Sequence, residues 1–310
     1  QALFPAGATV LANSHGTAPG FELPIGAGRV ACFPGVPREF AGMIRDHLGE
    51  LLATAGVDAQ AVEESCLRVF GITESALQER LAALPGYADV VVRSLPRFPD
   101  IRLMISARAD AASPASPSNP SVAVIPPSRL AFVAAVRADL GPRIYSESQS
   151  ETWPAAVLRV LRAADVRLAC AESCTGGGVG ALLTEAPGAS EVFVGGFVTY
   201  ADSAKRDLVG VSSDLLESHG AVSEAVARAM AEGALQRTGA TLAVSTTGIA
   251  GPGGGSADKP VGTVWIGLAD AHGSRAWRYV FPGLGRSRYQ QLVAWTALAR
   301  ARRHVLPGTR

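Results

Sequence analysis

Apolar and polar positions divide the chain into three stretches. In the first, residues 1 to about 60, short apolar alternations at Thr9 to Ala12 and Arg29 to Phe33 read as strands. Between them, Asn13 to Phe21 is polar and rich in glycine and proline, and reads as a loop. Pro34-Gly35-Val36-Pro37 is a second loop, opening a helix from about Arg38 to Ala55. Phe40, Met43, Ile44, Leu48, Leu51 and Leu52 recur there at helical spacing. Two strands and one helix are too little to close a core of their own.

The second stretch, 65 to about 145, reads as a small α+β unit. Thr73 is an N-cap for a helix to about Leu84, with Ala76, Leu77, Leu81 and Leu84 on one side. Val90 to Leu95 and Ile101 to Ala107 are strands joined by the turn 96–100. Ala111 to Pro120, rich in Ala, Ser and Pro, is expected to be a mobile loop, and a helix follows from about Ser128 to Leu140.

From residue 146 onward the pattern predicts one α/β domain. A helix starts near Pro154, a strand covers Val166 to Cys170, and an apolar helix covers Val179 to Glu185. Val192 to Tyr200 is a second strand, in which Gly195-Gly196 suggests a bulge or a close ligand. A short helix near Ser213 to Ser218 precedes a longer one from the N-cap Ser223 to Arg237, ended by Gly239. Leu242 to Ser245 is a third strand. Gly262 to Leu268 and Ala276 to Phe281 form a hairpin, and a last helix runs from about Ser287 to His304. The expected product is a mixed sheet covered by helices, with ligand loops at one end of the strands.

Two polar, glycine-rich loops follow predicted strands, Ala171 to Gly178 and Thr246 to Gly255. The first leaves the Ser173 hydroxyl and several N–H groups at a helix N-terminus, a place for an anion or a developing oxyanion, or simply an ordinary capped turn. Neither loop has the dinucleotide or Walker spacing. A serine nucleophile needs a neighbour to take its proton. No histidine lies near the loops, so Lys205, five residues beyond Tyr200, is the candidate base, with Tyr200 able to share a relay. A solvated helix lysine and an edge aromatic are the plainer readings of those two residues. Cys174 offers an alternative nucleophile or a buried thiol, and Cys170 reads as core.

Composition narrows the classes. Charged residues are 18% and the formal net charge is +1, so no basic surface announces nucleic acid. Arg93, Arg97, Arg102 and Arg108 are dispersed and read as solvated structural charge. No apolar run is long enough to span a bilayer, and no signal peptide opens the chain. It begins with Gln1, which reads as a fragment or a processed product. Four scattered cysteines make no disulfide framework, and cytoplasmic residence is the expectation. Five histidines without metal-ligand spacing predict no structural metal.

Six ordered motifs then carry a resemblance: A-E-S-C-T-G-G at 171–177, P-G-A-S at 187–190, Y-x-x-x-x-K from Tyr200 to Lys205, H-G-A-V-S at 219–223, T-G-I-A-G-P at 247–252 and K-P-V-G-T-V at 259–264. They resemble the CinA family of competence/damage-inducible proteins, and its carboxy-terminal domain resembles the stand-alone nicotinamide-nucleotide amidohydrolases of the PncC type. F-G-I-T-E-S at 70–75 resembles the family's KH-like domain. G-T-A-P-G-F at 16–21 and P-G-V-P-R-E at 34–39 resemble the end of its molybdopterin-binding-like domain.

The resemblance implies an α/β fold in three parts: a truncated molybdopterin-binding-like segment (1–62), a KH-like α+β domain (63–148) and an α/β/α amidohydrolase domain with a mixed sheet (149–310). It implies hydrolysis of nicotinamide mononucleotide to nicotinic acid mononucleotide and ammonia, without a cofactor. Ser173 resembles the nucleophile, and Tyr200 and Lys205 its proton-handling partners. Thr175, Gly176 and Gly177 resemble substrate- or oxyanion-binding groups, as do Thr247 and Gly248. Arg286 resembles the arginine that opens the last helix, with Arg288 a possible substitute because the family's Gly-Asp-Arg is here Gly283-Leu284-Gly285-Arg286. The implied partners are a pyridine nucleotide and a second copy of the chain, with no membrane and no nucleic acid. The family's ADP-ribose pyrophosphatase activity is expected to be lost, because G-D-E-L-L and G-G-L-G-P-T-x-D-D are absent. The alternative is a non-catalytic module associated with DNA uptake or repair.

Overall fold

A computed structural model describes residues 3–26, 28–55, 64–108 and 127–308. The expected loop at Ala111 to Pro120 lies outside the described residues. The chain divides into two units, Gln1–Glu63 and Glu64–Arg310.

The first unit contains an antiparallel sheet of β1 (Thr9–Leu11), β2 (Gly20–Ile25) and β3 (Gly28–Cys32), followed by helix α1 (Pro37–Thr54). β2 corrects the sequence reading, since it begins inside the stretch taken as a loop. Pro19-Gly20 and Pro24 mask it, yet a proline is tolerated where few neighbours need its missing N–H. With the third strand, Leu11 and Met43 become buried.

The second unit holds two sheets. The smaller is antiparallel, in the order β5-β6-β4-β7, with β4 (Ser65–Phe70), β5 (Val90–Arg97), β6 (Asp100–Ala107) and β7 (Ile144–Ser146). Helices α2 (Glu74–Ala82) and α3 (Pro127–Leu140) cover it, burying Leu77, Leu81, Phe132, Val133 and Val136 against Leu67, Val69, Leu103 and Ile105. Thr73 caps α2, its hydroxyl accepting from the Ala76 N–H.

The larger sheet has the order β12-β11-β10-β8-β9. Helix α4 (Trp153–Ala163) leads into β8 (Leu168–Glu172). Helix α5 (Gly178–Thr184), strand β9 (Phe193–Val198) and helices α6 (Asp202–Val209), α7 (Ser213–His219) and α8 (Glu224–Thr238) follow. Then come β10 (Leu242–Gly248), the hairpin β11 (Thr263–Asp270) and β12 (Gly273–Val280), and helix α9 (Arg286–Val305). β8 is parallel to both β9 and β10, and β11 is antiparallel to β10, so the sheet is mixed as expected.

Every residue of β8 is buried, and its side chains alternate between two cores. Leu168 and Cys170 join the core under α4, α5 and α9, whereas Ala169 and Ala171 join the one under α8. The second face uses small residues because α8 lies close. A Cβ on Gly267 would stand 2.3 Å from the Ala227 carbonyl oxygen. The bulge anticipated in β9 is present: Leu168 pairs with Phe193 and Ala169 with Gly195, leaving Val194 extra.

The two sheets of this unit are fastened by buried groups. Within the smaller sheet, Arg68 of β4 and the Tyr145 hydroxyl both donate to Asp100, at 2.9 and 2.6 Å, and Arg68 also donates to the Glu151 carbonyl ahead of α4. Trp153 and Trp295 stack with ring centroids 5.1 Å apart, and Phe70 packs against both. Arg302 of α9 donates to the carbonyls of Pro142 and Ile144.

Candidate active site

The parallel strands β8, β9 and β10 end together, and the loops at those ends enclose a cavity of about 210 Å³. This is where open α/β sheets place ligands. Ser173 follows β8 directly, and its N–H donates to the Thr246 carbonyl at 2.9 Å, extending the parallel ladder one residue past the strand. Tyr200 follows β9, Lys205 lies on α6, Thr247 and Gly248 end β10, and Arg286 opens α9. All six line the cavity, as do Cys174 and Asp202.

Lys205 is not a solvated helix lysine. It is 1% exposed and lines the cavity from α6. Its Nζ donates to Asp202 Oδ1 at 2.9 Å and to the main-chain oxygen of Tyr200 at 3.3 Å. The lysine therefore meets Tyr200 at its carbonyl rather than at its phenol. That hydroxyl instead accepts from Arg286 Nη2 at 2.7 Å, and its ring is 58% exposed. Arg286 Nη1 donates to the Gly251 carbonyl at 2.9 Å, so one guanidinium ties the β10 loop to the end of β9. Arg288 points elsewhere, over the Phe98 ring at 5.3 Å. Of the two arginines weighed from the sequence, Arg286 is the one in the cavity wall.

The first glycine-rich turn is built differently from the open anion site the sequence suggested. Glu172, 2% exposed, folds its carboxylate back over the start of α5. Oε2 accepts from the N–H groups of Gly177 and Val179 at 3.1 and 2.9 Å, and Oε1 from Gly180 at 2.9 Å. A negative side chain already occupies the helix N-terminus, where it is electrostatically favoured. Gly176 N–H donates to the Ser173 carbonyl, and the Thr175 hydroxyl bonds that of Thr246 at 2.7 Å in a buried position. Thr175, Gly176 and Gly177 thus shape the turn and do not line the cavity. Gly177 has φ +99°, a left-handed conformation that favours glycine. Gln290 Nε2 of α9 donates to the Cys174 carbonyl at 3.0 Å and fixes the next peptide plane.

The second loop is set by packing. Thr247 Oγ1 donates to the Ala221 carbonyl at 2.7 Å, and Lys259 Nζ to that of His219 at 3.1 Å, so the motifs at 219–223, 247–252 and 259–264 hold one another. A Cβ on Gly248 would lie 2.3 Å from the Tyr289 hydroxyl, which donates to the Thr263 carbonyl at 2.9 Å. Burial pushes the Cys174 thiol up to about 12, against smaller lowering effects of Tyr289 and Thr246. A thiol so held does not supply thiolate near neutral pH.

Asp202 and Glu172 were missed from the sequence. The spacing Asp202 to Lys205, three residues apart on a helix, was a visible signal for the first. For Glu172 no local signal existed, because its partners lie five to eight residues on, beyond a turn. Among the described residues no group of three or more His, Cys, Asp or Glu side chains is placed to hold a metal ion, and no helix is long and apolar enough to cross a membrane.

Residues 150–305 match the model of the CinA C-terminal domain family. A CinA-like protein of Prochlorococcus marinus (strain MIT 9313) is 41% identical over 312 residues, which cover 100% of this chain and 70% of that protein. A CinA-like protein of Gemmatimonas aurantiaca is 40% identical, covering 98% of this chain and 69% of the relative. The crystal structure of the competence/damage inducible protein CihA from Agrobacterium tumefaciens is 41% identical over 48% of this chain and 91% of that one, with a TM-score of 0.47. With its carboxy-terminal half matched by the family model and its whole length matched by such relatives, this chain belongs to the CinA family.

Proposed function

We propose that the cavity hydrolyses the carboxamide of nicotinamide mononucleotide, giving nicotinic acid mononucleotide and ammonia. The observation that carries this reading is the convergence of Ser173, the Asp202–Lys205 pair and Arg286 on one small cavity at the end of three parallel strands. The cavity is smaller than the roughly 300–1,000 Å³ of clefts that enclose a whole drug-sized ligand. It suits the ring carboxamide, with the ribose phosphate extending outward. Arg286 has two N–H donors engaged in the wall and, as a five-donor cation, keeps others for the phosphate.

Ser173 Oγ attacks the carboxamide carbon while Lys205 Nζ takes the hydroxyl proton. The ammonium so formed has the Asp202 carboxylate beside it. The oxyanion is held by the N–H of Cys174, which directly follows the nucleophile and lines the cavity, since those of Gly176, Gly177, Val179 and Gly180 are engaged within the turn. Lys205 returns the proton to the departing nitrogen, the C–N bond breaks and ammonia leaves. Water, activated by the same amine, hydrolyses the Ser173 ester and restores the hydroxyl.

The test is ammonia release from nicotinamide mononucleotide by the parent chain and by Ser173→Ala, with intact-protein mass spectrometry of a quenched reaction. The reading expects an acyl adduct on the parent and a loss of at least about a thousandfold in kcat for the variant. A parent chain that releases no ammonia overturns the activity and favours the non-catalytic alternative. Full activity in Ser173→Ala overturns the nucleophile.

A further inference from the structure

Another cavity of the second unit, about 530 Å³, lies between the small antiparallel sheet, the end of β12 and α9. It shares no lining residue with the cavity at Ser173. Five of the six residues of the F-G-I-T-E-S stretch, Phe70 to Glu74, line it, so this motif builds a cavity wall that the amidohydrolase reading does not use.

We propose that this cavity is a second small-molecule site, built for a planar aromatic anion of mononucleotide size. Its volume falls within the range of pockets that enclose such ligands. Three aromatic rings line it: Phe98 in the turn between β5 and β6, and Tyr279 and Phe281 at the end of β12. The last two rings stack, 16° from parallel with centroids 5.7 Å apart. A base or pyridine ring gains by stacking on such faces.

Charge complements the rings. Arg300 and Arg303 stand one turn apart on α9 and both line the cavity. The Arg300 guanidinium lies over the Trp277 ring at 4.2 Å and bonds the Tyr279 hydroxyl, which sets its plane. Gly71 has φ +84°, and a Cβ there would stand 3.4 Å from Arg303 Nη2. Burial, with Arg300 next in effect, holds Arg303 below the usual arginine value. Of the two carboxylates in the wall, Asp100 is matched by Arg68 and Tyr145, and Glu74 sits in the first turn of α2, where the helix end favours it. With Asp100 so matched, the wall carries the Arg300 and Arg303 guanidiniums against the one carboxylate of Glu74.

Isothermal titration of the full chain with adenosine 5′-monophosphate tests this, with adenosine (no anion) and ribose 5-phosphate (no ring) as paired probes. One saturable site is expected, with each partial probe weaker by about tenfold or more. Phe98→Ala and Arg300→Gln, checked for unchanged circular dichroism, should each weaken it by about tenfold, whereas Arg286→Ala should leave it intact. Four outcomes overturn the proposal: no binding at millimolar concentration, equal binding of adenosine, affinity unchanged in both cavity variants, or loss in Arg286→Ala. A dimer seen by sedimentation that dissociates on Phe98→Ala would instead assign the groove to a second copy, and also overturns it. The result is independent of whether ammonia is released at Ser173.

Discussion

Asp202 precedes Lys205 by one helical turn on α6, and its Oδ1 lies 2.9 Å from a lysine nitrogen that is otherwise sealed from solvent. The carboxylate itself is about half exposed, with 55% side-chain accessibility. Solvent reaches the carboxylate but not its partner, so its removal leaves a buried amine without its counter-charge and costs stability. Its effect also falls on the chemical step, where the Lys205 ammonium must be accommodated. Asp202→Asn, which keeps an oxygen acceptor but not the charge, is expected to lower kcat for ammonia release by about 10- to 100-fold, with KM within about twofold and a lowered thermal midpoint. An unaltered kcat would remove Asp202 from the mechanism.

Arg286 and Tyr200, 86 residues apart in sequence, close the opposite wall. A lysine at 286 keeps the charge but not the fork that reaches both Gly251 and the Tyr200 hydroxyl. Arg286→Lys should therefore raise KM for the mononucleotide by about tenfold with a smaller change in kcat. Tyr200→Phe removes one acceptor of that fork, and its exposed ring makes the cost to stability slight. If the two residues act as one unit, the double variant is no worse than Arg286→Lys alone, and a double-mutant cycle on KM reads the coupling.

The strands and loops that make this site were legible because β8 and β10 are short apolar runs that stop at polar, glycine-rich turns. Ser223 and Gly239 likewise announced the ends of α8. Helix α6 was not legible. Its eight residues carry few apolar side chains, so no stripe betrays it, and Lys205 looks solvated in sequence although the fold buries it. β4 was also missed, although Phe70 and Tyr145 depend on it, because the strand is bounded by no glycine or proline on its amino side. Glu172 shows the limit most clearly. Nothing in the sequence singled it out, and only the geometry of the turn shows it closing a helix end.

That role gives Glu172 a stability effect. Its side chain accepts three main-chain N–H groups in a buried place, with the Cys170 thiol against Oε1. Glu172→Ala leaves those donors without partners and opens a cavity, an expected loss of about 3 kcal/mol or more in urea unfolding. Glu172→Gln keeps the carbonyl acceptor but turns an amide donor toward N–H groups, so it should lose less than the alanine variant and still perturb the Ser173 turn. A Glu172→Ala protein as stable as the parent would contradict the clamp.

Cys174 makes the pH dependence of the same turn testable. Burial raises its thiol to about 12 in the folded chain, above the ordinary value of 9.0. The folded state therefore favours the neutral form. The stability this provides is complete below about pH 9 and is lost as the unfolded chain ionises between pH 9 and 12. Near pH 10 the loss is about 1 kcal/mol relative to pH 8. Cys174→Ala removes that titration, so the decline in urea-unfolding free energy from pH 8 to 10 should be shallower than in the parent, whatever its stability at pH 8. The thiol should also resist iodoacetamide at pH 8 in the folded chain and react once urea unfolds it, with the partly exposed Cys32 modified first. Equal pH slopes for parent and variant, together with rapid native alkylation of Cys174, would mean that the turn after Ser173 is open to solvent rather than packed beneath Tyr289.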